Sequence, residues 1–364
     1  MNKKLIALAV AGATFAPIVM AQTANPVTLY GRIWVMANSM KAGSGATTLS
    51  TRTTIVDESS LIGIRGTEDV GGGLKAWFQL ESSAPPDAGG GTFGSRNSGV
   101  GLQGGFGTVV LGRWDTPFKL SAIFVDPYGQ NTIGNQLSIV NTGDFNRREN
   151  NMIQYWTPNL SGFSARFMYG ANEGKTATAN PTNVSASLDY AAGPFRINYA
   201  YEKHKDTRGK VNTAAGTGNG GFTSDIVGGV TERGQNLAAS FVFGPFKVAG
   251  LAQRFDATDR TKRNAYFVAG TYTMGMHEFM GTYGRNRNGG STIAVGGVLP
   301  LEPLSKQIGV GYNYNFSKRT TFMARYASMV NNAASSNSTA AFGLPALALN
   351  NDPKGLGVGF RHTF

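Results

Sequence analysis

The sequence predicts an all-β fold, a transmembrane antiparallel β-barrel of about sixteen strands, and three observations predict it. From Val27 to Phe364, segments of about eight to eleven residues alternate apolar with polar or small residues. The connections between these segments alternate between very short and long. After the first twenty-one residues no run reaches eighteen consecutive apolar residues, which removes a transmembrane helix but leaves a β-barrel open.

The first residues read as an export signal. Met1-Asn2-Lys3-Lys4 is a short basic start, an apolar stretch follows from Leu5 to Ala16, and Val19-Met20-Ala21 reads as a cleavage site before Gln22. Residues 1–21 are thus expected to be a signal peptide and 22–364 a single barrel domain. The apolar stretch is shorter than the roughly 20 residues that a spanning helix needs.

Seven short turns fall at 68–73, 104–107, 158–162, 192–194, 244–245, 274–276 and 316–319, rich in Gly, Pro, Asn and Ser. Eight long connections fall near 38–59, 83–95, 114–149, 171–183, 205–233, 256–263, 286–305 and 331–353. Together they join sixteen strands. Short turns at one rim and long loops at the other suit a barrel with both termini on one side. A secreted soluble all-β binding protein or adhesin shares the alternation, but has no reason to segregate its connections in this way.

Parity within each strand separates two faces. Ala76, Phe78 and Leu80 oppose Lys75, Trp77, Gln79 and Glu81. Leu29, Ile33 and Val35 oppose Tyr30, Arg32, Trp34 and Met36, while Ile62 and Ile64 oppose Arg65 and Thr67. At the end of the chain Leu356, Val358, Phe360 and Phe364 oppose Arg361 and Thr363. An Arg or Lys on the lipid side at the midplane costs about 2–4 kcal/mol, so Arg32, Arg65 and Arg361 are expected to point into water. Aromatic residues gather near strand ends, where membrane interfaces favour amphipathic rings.

Composition narrows the function. The formal net charge is +12, yet Lys and Arg are scattered singly, with no block of five or more, a distribution that fits a channel wall and not a nucleic-acid interface. There is no cysteine, so disulfides and thiolate metal sites are excluded, and His204, His277 and His362 lack metal-ligand spacing. GVGLQG at 99–104 has the form GxGxxG but continues as strand, and no GxSxG elbow occurs. The adjacent pairs Asp57-Glu58 and Glu68-Asp69 point to opposite faces if extended, and mark loop or turn ends. Neither an enzyme nor a cofactor is indicated.

Specific strings carry a resemblance. VTLYG at 27–31, GIRGTEDVGGGL at 63–74, FQLES at 78–82, GLQGGFGTVVLGR at 101–113, Thr116-Pro117-Phe118, YWTPNLSGF at 155–163 and the closing GVGFRHTF at 357–364 are similar to general porins of β-proteobacteria. They occur in family order along the whole mature chain. The resemblance implies an outer-membrane homotrimer of sixteen-stranded barrels, each with its third long loop, from about Trp114 to Glu149, folded into the bore. It also implies that Phe364 acts as the signal for the barrel-assembly machinery. In relatives an acidic residue often stands three positions after VTLYG, where this chain has Trp34, which suggests a narrower or more anion-selective bore.

The expected activity is passive diffusion of small hydrophilic solutes and ions, with a bias toward small anions set by a transverse field between wall and loop. The wall candidates are Arg32, Arg65 and Arg113, with Arg147 and Arg148 at the end of the third loop and Lys75 as an addition. Asp115, Asp126 and Asp144 are the loop carboxylates. A substrate-specific porin with a dedicated anion-binding site is the alternative within channels.

Overall fold

The computed structural model describes residues 27–43, 49–140, 145–171, 173–207, 229–258, 260–288, 304–332 and 351–364. The expected signal peptide and Asp144 lie outside the described residues.

Seventeen strand segments follow one another: β1 (Thr28–Gly43), β2 (Leu49–Asp57), β3 (Leu61–Gly71), β4 (Leu74–Ser83), β5 (Ser98–Gly104), β6 (Gly107–Asp115), β7 (Arg148–Trp156), β8 (Phe163–Gly170), β9 (Thr182–Ala192), β10 (Phe195–Lys205), β11 (Thr231–Phe243), β12 (Phe246–Ala257), β13 (Arg260–Met274), β14 (His277–Asn288), β15 (Leu304–Asn315), β16 (Thr320–Asn331) and β17 (Asp352–Thr363). From β3 onward each pairs antiparallel with the next, and β17 closes the barrel on β1. At the short-turn rim the closure is tied by Gly31 N to Phe364 O at 3.1 Å and Phe364 N to Gly31 O at 3.0 Å.

The wall has sixteen positions because β2 and β3 share one. Residues Thr28 to Arg32 of β1 pair with β3, and Val35 to Ala42 pair with β2. Between them the chain turns at Asp57, whose carboxylate accepts the Ser59 and Ser60 N–H groups at 3.2 and 2.9 Å. Ser59 is thereby held at φ 76°, in the left-handed region.

All seven short turns lie where the sequence places them. Two of the long connections are shorter than expected. β1 runs on to Gly43 and β2 begins at Leu49, so most of 38–59 is strand, and β12 and β13 pair as far as Ala257 and Arg260. Those stretches read as loop because their residues are polar. Beyond the bilayer a strand needs no apolar outer face, so composition ceases to mark it.

The two faces follow the predicted parity. Leu29, Ile33, Ile62, Leu356, Val358, Phe360 and Phe364 are exposed on the outside. Near the short turns Phe243, Phe246, Tyr272, Phe279 and Tyr312 form a ring-to-ring girdle with centroid separations of 5.4, 4.8, 6.4 and 5.3 Å. Such a belt belongs at a membrane–water interface.

The connection between β6 and β7 lies against inward-facing side chains. It opens with a helix, Pro117–Ser121, capped by Thr116 Oγ1 accepting Lys119 N at 3.2 Å, with Pro in its first turn. A 3₁₀ turn, Ile123–Val125, and a second short helix, Leu137–Val140, follow. Val125, Ile139 and Val140 pack with Leu251, Phe267 and Met329 of the inner wall, while Phe118 and Phe145 pack on Phe255. Wall amides bond its backbone: Asn286 Nδ2 donates to Ile139 O at 3.0 Å, and Gln307 Nε2 to Gly134 O and Asn135 O at 2.8 and 3.0 Å.

Glycine makes the room for this contact. A Cβ on Gly311 would stand 2.5 Å from Tyr128 Cε1, and one on Gly284 would stand 3.0 Å from Ile139 Cγ1. These inward glycines are sockets for the side chains of the β6–β7 connection.

Candidate functional site

On the other side of the bore, from β1 to β7, a cluster of charged side chains is gathered. Arg32 sits on an inward position of β1 and donates from Nε to Ser59 O at 2.9 Å and from Nη2 to Ser59 Oγ at 3.1 Å. Arg96, just before β5, donates to the same Ser59 Oγ at 2.9 Å and forms an ion pair with Glu81 at 2.7 Å. The break between β2 and β3 thus presents one serine to two guanidinium groups. Tyr30 O–H donates to the other oxygen of Glu81 at 3.2 Å, and Arg65 lies 5.0 Å from the centre of the Tyr30 ring.

A second group adjoins the first through the neighbouring Asn97. Asp115 ends β6 and accepts from Asn97 Nδ2 at 2.9 Å, while Lys119 and Arg148 approach it at 2.8 and 3.2 Å. Arg148 Nε also donates to Asn97 Oδ1 at 3.1 Å. Arg113 donates to Ser95 O at 3.0 Å and to Asn150 Oδ1. A β-bulge at Gly112 to Trp114 re-aims β6 at this point and lets Arg113, Trp114 and Asp115 crowd the same region. Six cations, Arg32, Arg65, Arg96, Arg113, Lys119 and Arg148, share this band with two carboxylates, Glu81 and Asp115.

The remaining candidates stand elsewhere. Arg147 turns to Glu149 at 2.9 Å, and Asn183 holds the same Glu149 carboxylate at 2.7 Å. Asp126 is buried, and its carboxylate accepts the N–H groups of Tyr128, Gln130 and Gln136 at 2.9, 3.0 and 3.0 Å. Burial pushes its pKa up to about 6, against the pull of those three donors. Asp126 is therefore a knot inside the β6–β7 connection, turned away from the open bore. Trp34 is also covered, 2 % exposed, with Arg32 and Arg361 each 5.5 Å from its ring. It fills space beneath the connection and does not line the free lumen.

Arg96, Lys119 and Glu81 were not among the candidates from the sequence. Glu81 shares the inward parity of Lys75, Trp77 and Gln79, a usable signal. Arg96 and Lys119 lie on connections, where parity assigns no face. Arg325 was missed as well: it is 2 % exposed, bonds Tyr312 O and Asn313 Oδ1 at 2.8 and 2.6 Å, and lies 5.0 Å from the Tyr128 ring.

A closed barrel with an apolar outer face, an aromatic girdle and ionised groups in its bore is an outer-membrane channel. Comparisons with known proteins agree. The sequence profile of the Gram-negative porin family matches residues 7–334. Outer membrane porin protein 32 of Delftia acidovorans is 32% identical over 386 residues, covering 100% of both chains. Major outer membrane protein P.IB of Neisseria meningitidis serogroup B is 32% identical over 220 residues, covering 58% of this chain and 62% of that one. Among solved structures, the anion-selective porin from Comamonas acidovorans superposes with a TM-score of 0.77 at 29% identity, over 93% of this chain and 100% of that one. The chain belongs to the Gram-negative porin family. It is an outer-membrane channel and not an enzyme.

Proposed function

We propose that the channel is anion-selective, and that the cation-rich band on β1 to β7 sets the preference. One observation carries this reading: six cations face two carboxylates in the band that runs from Arg32 and Arg65 to Arg113 and Arg148. Opposite that band the β6–β7 connection narrows the bore, so a passing ion moves close to the wall charges, where a low-dielectric surround strengthens their field. The guanidinium groups of Arg32 and Arg96 are pinned by Ser59 and keep N–H donors for a solute carboxylate or phosphate. The structural neighbour from Comamonas acidovorans is itself named anion-selective, which supports the same reading.

Three further features belong to this proposal. The functional unit is a homotrimer, the leader is removed after Ala21, and Phe364, whose ring covers Gly31 at the seam, is the assembly signal. Intact mass of the protein from outer membranes checks the cleavage, and light scattering in detergent checks the trimer.

The selectivity test is the reversal potential of refolded protein in a planar bilayer under a KCl gradient. A potential favouring chloride is expected. One favouring potassium would overturn the reading, and saturation of flux by a single anion would replace it with a dedicated binding site.

A further inference from the structure

Three of the four tryptophans of the chain gather inside the barrel on β4, β6 and β7, on the short-turn side of the charged band. Trp114 is 8 % exposed and packs on Val110, Met152 and Met168 of the wall. Trp77 and Trp156 lie against it at 5.7 and 5.5 Å. They stack on each other at 5.9 Å with 30° between their planes, and both are only half-buried.

Strand register shows how the wall accommodates them. Lys75, Gln103, Thr108, Trp156 and Arg166 form one inward row across β4 to β8, and Trp77, Gly101, Val110 and Gln154 form the next. Trp77 lies over Gly101, where a Cβ would stand 2.8 Å from its Cε2. Small residues on the wall thus let two indoles lie across the strands. Gln154 ties them to the band: it accepts from Trp156 Nε1 and donates from Nε2 to Asp115 O at 3.2 Å.

Tryptophan belongs in a packed core or at the outer membrane interface. Here two indole faces border an aqueous bore, which leaves apolar area in water unless a solute covers it. The same row supplies a charge. Arg166 pairs directly with Trp156 in the ladder, its guanidinium 5.4 Å from the ring centre. Among the described residues that guanidinium makes no hydrogen bond and no ion pair. The acid on the adjoining strand, Asp189, is held by Arg196 at 2.9 Å and by Asn198 at 3.0 Å. An arginine stacked on a ring keeps its in-plane N–H groups free for both oxygens of a carboxylate.

We propose that this ledge is a binding site for aromatic monocarboxylates. The ring of the solute lies against the Trp77–Trp156 pair, and its carboxylate takes two N–H groups of Arg166. The unmatched guanidinium chooses an anion over a neutral sugar, and the indole faces choose a flat π-ring over a saturated one. The site uses none of the six cations of the band, so the two readings stand or fall separately.

Benzoate is the probe, and cyclohexanecarboxylate, of the same charge and similar size but without a π-face, is the reference. Each is titrated against the single-channel conductance of the refolded protein in a planar bilayer at constant KCl. Benzoate is expected to reduce conductance saturably, with half-effect about fivefold below that of the reference, as one aromatic contact of about 1 kcal/mol gives. W156L is expected to abolish this preference and W156F to keep most of it, which separates the π-face from bulk. W77L repeats the test at the other ring should W156L not refold. R166Q is expected to weaken both acids alike, on the order of tenfold. Saturable quenching of tryptophan emission by 4-nitrobenzoate, shifted to higher concentration in R166Q, places the binding at the cluster.

Equal half-effects for the two acids in the wild type would overturn the site. A benzoate preference that survives in both W156L and W77L would overturn it too, as would unchanged affinity in R166Q. The reversal potential under a KCl gradient, taken with neither acid present, tests the band by itself. Potassium preference there, with the benzoate preference intact, overturns that reading and leaves this one.

Discussion

The two halves of the inner wall do different work with the same strand geometry. Along β10 to β17 the inward residues Gly284, Gly309, Gly311, Phe255, Phe267 and Met329 seat Ile139, Tyr128 and Phe118 of the β6–β7 connection, and Arg325 beside them is covered by Tyr128. Along β1 to β7 the inward side chains include Arg32, Arg65, Glu81 and Arg113, which face the remaining bore with charge. Three of the tryptophans, Trp77, Trp114 and Trp156, cluster on this second half, 5.5 to 5.9 Å apart. One half therefore holds a segment in place, while the other offers a field to whatever passes it. The lesson is that a lumen-facing position is not by itself a solute-facing one. Trp34, Asp126 and Arg325 all point into the barrel and are all covered.

This contrast yields a double dissociation. Changes on the covered half should alter channel size and noise but not the sign of selectivity. Changes on the open half should alter selectivity and leave the seat of the connection intact.

The largest effect is expected from Tyr128→Ala. It empties the socket over Gly309 and Gly311 and removes the ring stacked on Arg325, a loss of about 3–5 kcal/mol for a buried aromatic. Larger, noisier single-channel conductance with unchanged reversal potential is the expected reading; a strong shift in reversal potential would erase the distinction between the halves. Asp126→Asn comes next. One oxygen of Asp126 accepts from both Gln130 and Gln136, and an amide there leaves donors unpaired, a cost of about 1–3 kcal/mol. Faster cleavage of the connection by added protease in the refolded protein would register it.

Removing charge from the open half acts on permeability. R32Q/R96Q/R148Q takes three cations from the band and is expected to lower the chloride-to-potassium permeability ratio on the order of a hundredfold, because about 0.5 kcal/mol per charge through water at some 8 Å attracts chloride and repels potassium alike. Thermal stability should change little by comparison. An unchanged ratio would move the selectivity determinant to another part of the channel.

The smallest effect is a pH dependence of the covered half. Asp126 is raised from 3.8 to about 6, so between those values the folded state holds a proton that the unfolded chain releases. Stability of the connection is therefore fully present in its favoured protonated form below that window, and falls as pH rises through about 6. Quieter conductance at pH 5 than at pH 7.5 is expected, and D126N should abolish the difference.

Much of the architecture was legible in the residues. Period-two alternation, Gly- and Pro-rich short turns and the closing Phe364 are local properties, fixed by dihedral preference and by the need to present alternate side chains to lipid. They therefore gave the sixteen wall positions and the inward parity of Arg32, Arg65 and Glu81. The ends of β1, β2, β12 and β13 were less legible, because strands that rise beyond the bilayer lose the apolar pattern that marks them.

What the sequence determined by itself is the barrel: strand number, the face each strand residue takes, and an excess of scattered positive charge. What tertiary structure decided is which inward residues stay open to the bore. Asp126 and Asp115 look alike as isolated acids near one connection, yet one is tied by three backbone N–H groups and the other is ringed by Lys119, Arg148 and Asn97. Arg96 and Lys119 reach the band from connections whose course no periodicity encodes. The same holds for Gly311, a small residue like any other in the chain until Tyr128 comes to rest on it. Parity is a one-strand property, but burial depends on what the other side of the barrel receives.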